Sequence, residues 1–381
     1  MPILGVVPSP FGTLALAALF GPTIAAQTFV VDGNNGPGTD FTSIAAAVAA
    51  VPDGAVLLVR PATYGGFEIR GKSLTILGEP GAHVDFLIPP MAIVNLAPTQ
   101  SVELRGLSWS NPLGPALLSC RDCRGRVSIE ACRSDQTIAQ AGGGVLAARC
   151  AQLHIRDCTF EALGRSGLSI DHCDATLLDS EVRAAGFGPP GLMQLGGTLQ
   201  VAGSRVGGAL ASTTAIQLNG GALVVRGAST LTSNTLGPGR IVDGTGSARV
   251  DPDTIRMPPN AGVGAGIALS TPSMPFVTAS TQALGGTATA SFTGPTDPRA
   301  GGALLAGIPA SPRPLPPYLD PIWLDPGRSV VVAIGGARLT ASYPVPMSPW
   351  ALGIAIGWQG FSLSPSTGAL QASNPAVYVH W

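Results

Sequence analysis

A short alternation of apolar and polar residues recurs along the middle of the chain. Seven six-residue segments share it, and each has an apolar residue at its third position, or at the fourth (Ile76) in the first segment: Ser73–Gly78, Val102–Leu107, Val127–Cys132, Leu153–Cys158, Ala175–Ser180, Leu199–Ser204 and Leu223–Ala228. Successive third positions are 22 to 28 residues apart. A period of two predicts a strand with one buried face, and hairpin strands would recur at about half this spacing. One coil per repeat, with the coils stacked in parallel, is therefore predicted.

These repeats predict an all-β chain whose main body, residues 27–249, is a right-handed parallel β-helix of about seven to nine coils. The Ala-rich segment Ser43–Val51 predicts a short capping helix at its N-terminal end, with Asp40 or Thr42 as the N-cap. After Arg226 the repeat fades, and residues 250–275 are predicted to be a Pro-rich linker. Short apolar segments between Gly and Pro turns predict a small β-sandwich over 276–381.

The opening of the repeat region resembles the pectin-lyase-like right-handed β-helix superfamily, including its pectinesterase-like members. Those families show a DF-x-SI-x-x-A-V helix, a V-x-P-x-x-Y strand and a K-x-L-x-I-x-G strand. The corresponding residues here are Asp40–Ile44, Val59–Tyr64 and Lys72–Gly78. The resemblance is close over Asp40–Gly81 and extends to the coils by pattern. It implies the fold, and an extracellular polysaccharide as the partner.

The end of the chain resembles C-terminal modules on secreted proteins of planctomycete-like bacteria. The similar residues are Tyr343–Pro346, Leu352–Gln359 and Ser373–Val379. This resemblance implies a bacterial extracellular protein and names no activity.

The N-terminal residues predict export. An apolar run, Phe11–Ala26, ends in small residues before Gln27 and predicts a signal peptide over residues 1–26, although no Lys or Arg precedes the run. It is too short and too interrupted by Gly and Pro to span a membrane, and no second run is long enough, so the mature chain is predicted to have no membrane span. Only 11% of residues are charged and the net charge is −1, which argues against a nucleic-acid partner. The predicted location is secreted or at the cell surface.

Six cysteines fall in one stretch of the repeats: Cys120, Cys123, Cys132, Cys150, Cys158 and Cys173. An even number in an exported chain predicts disulfides. Stacked coils lie about 4.8 Å apart, within the range that a disulfide tolerates. The predicted pairs are Cys132 with Cys158, and Cys150 with Cys123 or Cys173. One alternative is a ladder of buried free thiols. A zinc or redox site at Cys120 and Cys123 would need a second ligand pair or a βαβ setting, and neither is evident.

The outward positions of the repeat carry the candidate chemistry. Arg105, Glu130 and Arg156 occupy its fourth position and predict a cross-strand charge ladder. Asp157 and Asp179 occupy the fifth position on adjacent coils, where two carboxylates can bind Ca²⁺ or act as acid and base. With Arg156 and His154 they form a candidate catalytic set. The alternatives are that both aspartates cap turns and that His154 and His172 are surface residues.

Two functional hypotheses remain. The first is a secreted, non-catalytic β-helix protein of the cell surface or extracellular matrix that can bind polysaccharide. Low charge, 5% aromatic residues and the absence of a G-x-S-x-G, H-E-x-x-H or P-loop motif favour it. The second is a lyase, esterase or hydrolase acting on an acidic glycan through Asp157, Asp179 and Arg156. The superfamily resemblance implies this chemistry, since its lyases use carboxylate-held Ca²⁺ and its esterases use aspartates with an arginine.

Overall fold

The computed structural model describes residues 26–85, 91–110, 118–134, 144–185, 188–208, 214–233, 239–280, 283–297, 299–316, 318–365 and 368–381. The predicted signal peptide lies outside the described residues, apart from Ala26. Two compact units divide the chain at residues 274 and 275. Within the described ranges, no helix has the length and apolar composition needed to cross a membrane.

The unit 26–274 contains one short helix, α1 (Ile44–Ala50), and mostly short strands. The strands are β1 (Thr28–Val31), β2 (Ala55–Val59), β3 (Ala62–Tyr64), β4 (Glu68–Arg70), β5 (Leu74–Gly78), β6 (Ala82–Asp85), β7 (Met91–Val94), β8 (Ser101–Arg105), β9 (Ser108–Ser110), β10 (Leu118–Arg121), β11 (Arg126–Glu130), β12 (Arg133–Ser134), β13 (Val145–Ala148), β14 (Gln152–Arg156), β15 (Thr159–Leu163), β16 (Leu168–Asp171), β17 (Asp174–Leu178), β18 (Glu181–Ala185), β19 (Leu192–Leu195), β20 (Thr198–Ala202), β21 (Arg205–Gly207), β22 (Thr214–Arg226), β23 (Thr230–Thr232), β24 (Arg240–Val250), β25 (Ile255–Met257), β26 (Gly262–Val263) and β27 (Ile267–Ser270).

These strands stack into three parallel sheets. Sheet I contains β4, β7, β10, β13, β16, β19, β26 and the first halves of β22 and β24; sheet II contains β1, β2, β5, β8, β11, β14, β17, β20, β27 and the second halves of β22 and β24; sheet III contains β3, β6, β9, β12, β15, β18, β21, β23 and β25. The nine strands of sheet III, one per turn, give a parallel β-helix of about nine turns in the described residues. The predicted all-β, parallel β-helix fold is confirmed.

The predicted register is confirmed on sheet II. The apolar third positions of the repeat pair with one another from coil to coil, and all are buried: Ile76, Leu104, Ile129, Ile155, Leu177, Val201 and Val225. Each inward side chain therefore stacks on its equivalent in the next coil. This continuous apolar ladder is the core of the unit.

Residues 250–275 differ from the predicted linker. They contain β25, β26 and β27, which add one more strand to each of the three sheets. The prolines that suggested a linker, Pro258 and Pro259, lie between these strands rather than inside them. Proline is tolerated there because no ladder hydrogen bond is lost.

The helix α1 packs on the first turn through Ile44, Ala47 and Val48, as a capping helix should. Its N-cap is Ser43, whose hydroxyl accepts a hydrogen bond from the amide of Ala46 at 3.2 Å. The prediction of Asp40 or Thr42 was therefore wrong. The Asp40 carboxylate instead accepts from the amide of Val30 at 2.8 Å, tying the segment before the helix to β1.

The corner between sheets II and III has one conformation in six successive coils. Its first residue has a positive φ of 45° to 71°; these residues are Gly106, Ala131, Asp157, Asp179, Gly203 and Gly227. This left-handed conformation turns the chain sharply while keeping the backbone bonded to the next coil, as in the 3.1 Å bond from the Asp157 amide to the Leu178 carbonyl. It costs a non-glycine residue some conformational energy, which the stacking must offset.

In the later coils, a serine that follows the left-handed corner residue caps the coil before it. The Ser180 hydroxyl accepts from the amide of Cys158, and the Ser204 hydroxyl accepts from the amide of Ser180, each at 3.1 Å. At the corner between sheets I and II, the Cys173 sulfur accepts from the amide of Cys150 at 3.1 Å. Cysteine and serine thus perform the same task. The last member of the series is Ser229, which accepts from the amide of Ser204 and lies one residue beyond Ala228, the sixth position of its repeat segment.

All six cysteines are buried free thiols in the structure, which is the thiol-ladder alternative. The strand register stacks Cys132 with Cys158. Cys150 lies between Cys123 and Cys173 and interacts with both. Burial raises the pKa of Cys120 and Cys158, which disfavours reactive thiolate. The disulfide pairs stay predictions for an oxidised chain.

The corner caps make a testable contribution to stability. Ser180→Ala leaves the buried amide of Cys158 without its acceptor, and we expect a loss of about 1–3 kcal/mol in the free energy of unfolding. Ser180→Cys should retain most of the stability, because sulfur already fills this role at Cys173. Urea unfolding measures both, with Ser169→Ala on the outward side of sheet I as the control. Equal stability of Ser180→Ala and the control would contradict the capping role.

The unit 275–381 is built from antiparallel strands. They are β28 (Phe276–Ala279), β29 (Thr287–Thr293), β30 (Gly301–Arg313), β31 (Ile322–Gly335), β32 (Arg338–Pro344), β33 (Ala355–Leu363), β34 (Leu370–Ala372) and β35 (Ala376–Val379), with a 3₁₀ turn at Pro349–Ala351. Strands β28, β29 and β32 form one sheet, and the other five form the second. The Phe292 ring of the first sheet lies against Gly302 and Gly360 of the second, where a Cβ would overlap it. The two sheets therefore pack face to face through this ring.

Candidate functional site

The structure places most of the sequence-predicted site residues on the outward side of sheet II. Two rows of outward side chains run along the axis there, Glu103–Ser128–His154–Thr176–Gln200 and Arg105–Glu130–Arg156–Leu178–Ala202–Arg226. Nearly all of these side chains are buried. Sequence alternation shows which side of a strand faces the core, but it does not show whether the opposite side is covered.

The predicted charge ladder is present in the second row. Arg105 Nη1 lies 2.6 Å from Glu130 Oε1, and Arg156 Nη1 lies 4.0 Å from the same oxygen. Beside it, Arg126 donates from Nε and Nη2 to Glu103 Oε1 at 2.9 and 2.6 Å. Because these pairs are buried, they tie neighbouring coils together, and removing one partner would leave an uncompensated charge.

His154 is buried, with 3% of its surface exposed, so the prediction of a surface histidine was wrong for this residue. Its Nδ1 lies 2.9 Å from the Thr176 hydroxyl on the next coil. Burial, together with the nearby Arg126 guanidinium, lowers the pKa of His154 to about 3. The imidazole is therefore neutral at physiological pH. His172, by contrast, is exposed at a corner, with Nδ1 2.6 Å from Asp171 Oδ1.

Asp157 and Asp179 lie one above the other at the left-handed position of the corner, and both are exposed. Among the residues that the structure describes, no amide donates to either carboxylate, so their place in the turn rests on backbone conformation rather than on capping bonds. Loss of hydration raises the pKa of Asp179, the like charge of Asp157 raises it further, and Arg156 opposes both. These three residues form one cluster.

The predicted Ca²⁺ ligands are Asp157 and Asp179. Calcium takes six to eight oxygen ligands. Within the described part of the chain, no three His, Cys, Asp or Glu side chains come together in a way that could hold a metal ion. The two aspartates would thus have to recruit most of the coordination from water or from an anionic ligand.

The burial of His154 predicts a pH dependence of stability. Its pKa is lower in the folded chain (about 3) than the ordinary value of 6.5, so the unfolded chain binds a proton first as the pH falls. The stability that His154 contributes is present above pH 6.5 and is lost between 6.5 and 3, by up to about 1.4 kcal/mol per pH unit. Unfolding of wild type and His154→Gln across this window measures it. We expect the variant to have the shallower slope and His172→Gln to match wild type; parallel slopes for wild type and His154→Gln would contradict this account.

A groove lies on the outward side of sheet III, away from the predicted catalytic set. It crosses five neighbouring strands, β15, β18, β21, β23 and β25, and encloses about 650 Å³. Parallel strands are about 4.8 Å apart, so the groove extends for roughly 19 Å along the axis. Two outward rows line it, Glu181–Arg205–Thr230–Ile255 and Glu161–Arg183–Gly207–Thr232–Met257.

The charges of the groove alternate in sign. In the register, Glu161 lies opposite Arg183, and Glu181 lies opposite Arg205. The ion pair among these four residues lies along one strand, where Glu181 Oε1 is 3.0 Å from Arg183 Nε. Opposite charges in facing positions of neighbouring strands attract one another at modest gain in stability. The groove therefore presents ordered hydrogen-bond donors and acceptors with little net charge.

No protein-family model matches this sequence, and no curated protein matches it.

The groove was not predicted, although the sequence of the sheet III strands contains a signal for it. Four groove strands, β15, β18, β21 and β23, directly follow the small corner residue and begin with a polar residue and then a buried apolar one, as in Glu181–Arg183 and Thr230–Thr232. These strands are only three to five residues long in the groove. Alternation over so few residues is not distinctive by itself, and it becomes so only when the coils are aligned.

Proposed function

We propose that this protein is a secreted, non-catalytic β-helix protein that binds an extracellular polysaccharide along the groove of sheet III. The observation that carries the proposal is the groove itself, an open surface that crosses five strands and carries fixed polar groups on successive coils. An extended polymer lying along the axis can meet one set of side chains per coil. Guanidinium, carboxylate and hydroxyl groups at such spacing suit the hydroxyls and carboxylates of a glycan.

The distribution of residues favours binding over catalysis. The described residues that line the groove include no histidine, lysine, tyrosine or cysteine, and of its two carboxylates, Glu161 and Glu181, the second is ion-paired with Arg183. Of the sequence-predicted catalytic residues, His154 and Arg156 are buried on sheet II. Asp157 and Asp179 lie at the corner, outside the groove. A glycan held on sheet III would not contact them.

Removing the groove guanidiniums should weaken glycan binding. We expect Arg183→Ala/Arg205→Ala to lose at least about tenfold in affinity, since each charge-assisted hydrogen bond contributes about 1.5–3 kcal/mol. Affinity electrophoresis against a panel of acidic and neutral polysaccharides measures this loss. The matched control is Arg149→Ala, because Arg149 is similarly exposed, 59% against 62% for the Arg183 side chain, and is also paired with a carboxylate.

A steric variant tests the same groove independently of charge. Gly207 lies between Arg183 and Thr232, with a φ outside the left-handed region, and a Cβ there would lie 3.9 Å from both side chains. Gly207→Val is therefore expected to fold and to fill the middle of the groove. Gly262→Val, at a position with open space around it, is the control. If both Gly207→Val and Arg183→Ala/Arg205→Ala bind the polysaccharide with wild-type affinity, the groove of sheet III is not the binding site.

The enzymatic alternative has its own assay, and we expect it to be negative. The secreted protein is incubated with acidic polysaccharides in the presence of Ca²⁺, and the absorbance of unsaturated products and the release of ester groups are followed. Asp157→Ala/Asp179→Ala is measured beside it. Product formation that disappears in this variant would overturn the non-catalytic function and assign the chemistry to the corner aspartates, while leaving the glycan affinity of sheet III to be judged by the groove variants.

A further inference from the structure

The groove of sheet III changes chemistry from one end to the other. Three strands contribute its charged residues, β15, β18 and β21, and the next contributes Thr230 and Thr232. The last strand, β25, contributes only Ile255 and Met257 to the outward rows, and these side chains are 51% and 48% exposed. The polar residues are thus at one end and the apolar residues at the other.

Strand β25 also reverses the polarity of the sheet. In the other groove strands the central residue is apolar and buried: Phe160, Val182, Val206 and Leu231. In β25 that position is Arg256, which pairs with Leu231 in the register, while its apolar neighbours face outward. Folding gains little from two apolar side chains left about half exposed. Burial in the core of the unit therefore does not account for their outward placement.

The separation of polar and apolar ends restricts the ligand. An unmodified saccharide matches the charged strands of the groove but offers no apolar group to Ile255 and Met257. A ligand with a polar part and an apolar part matches both ends of the groove. We propose that the ligand of this groove is a saccharide that carries an acyl or alkyl group at one end, with the saccharide on the charged strands and the apolar group on Ile255 and Met257. This inference rests on the proposed function, since the saccharide occupies the same groove.

A pair of ligands that differ only in the apolar group tests the proposal. The probes are methyl and n-octyl β-D-glucuronide, titrated below the micelle concentration and followed by ligand-observed NMR. We expect the octyl compound to bind wild type at least about tenfold more tightly, because burying the chain against two apolar side chains removes apolar surface from water. Ile255→Ser/Met257→Ser should abolish this preference and leave the methyl compound unaffected.

The controls separate this inference from the proposed function. Leu269→Ser, an apolar residue of β27 that is 42% exposed and outside the groove, should keep the octyl preference. Arg183→Ala/Arg205→Ala should weaken both probes. Equal binding of the two probes, or a preference that survives Ile255→Ser/Met257→Ser, would overturn the acylated ligand while leaving saccharide binding intact. No binding of either probe, with no affinity for the polysaccharide panel, would refute both.

Two sources could supply such a ligand, and a second arm distinguishes them. Flotation with phosphatidylcholine vesicles that contain a glucosyl diacylglycerol tests a membrane glycolipid. Affinity electrophoresis on O-acetylated alginate and on the same alginate after deacetylation tests an acylated polymer. We expect Ile255→Ser/Met257→Ser to lose binding in whichever arm is positive for wild type. Unchanged binding of this variant in the positive arm would contradict the assignment of the apolar end.

Discussion

The corner between sheets II and III imposes the constraint on which the stack of coils depends. There the chain must bend from one sheet into the next within two residues. The backbone amides of this turn must also keep hydrogen-bond partners inside the protein. A left-handed residue such as Asp157 achieves the turn. The small inward residue that follows, such as Ser180, offers its side chain to the amide of the coil before it. Each coil is therefore completed by the next one, and the register of all three sheets is set at the same place.

This constraint accounts for two of the cysteines, Cys132 and Cys158, which follow the left-handed residue of this corner. The disulfide prediction rests on the even number of cysteines and on the expected export of the chain to an oxidising compartment. Aligning the coils shows that Cys158 and Ser180 occupy equivalent positions and make equivalent bonds. The inward position after the left-handed corner residue suits a small side chain that ends in a polar atom. Thiols stacked in this way can be neighbours without being a redox centre, since burial disfavours the thiolate.

The strands of sheet II could be predicted from sequence because alternation is a local property, and the parallel stacking followed from the spacing of the repeats. Three features were beyond that reasoning. An extra residue after Arg226 moves the last corner cap from Ala228 to Ser229, which a fixed offset cannot anticipate. The burial of His154 depends on what covers the outward side of a strand rather than on the strand's own pattern. The N-cap is Ser43 rather than Asp40 or Thr42, since all three side chains are of types that suit an N-cap.

The candidate site was harder to predict because it belongs to no single segment. Its polar groups come from strands that are distant in sequence, and each strand is too short to attract notice alone. Stacking converts these fragments into two continuous rows, with Glu181 beside Arg205 and Thr232 beside Met257. Because the coils are stacked, a change of residue type from one coil to the next produces a gradient of surface polarity along the axis. A β-helix can therefore encode the polarity of an elongated ligand by substitutions on single strands, and the inverted strand β25 marks the end of the groove where that gradient becomes apolar.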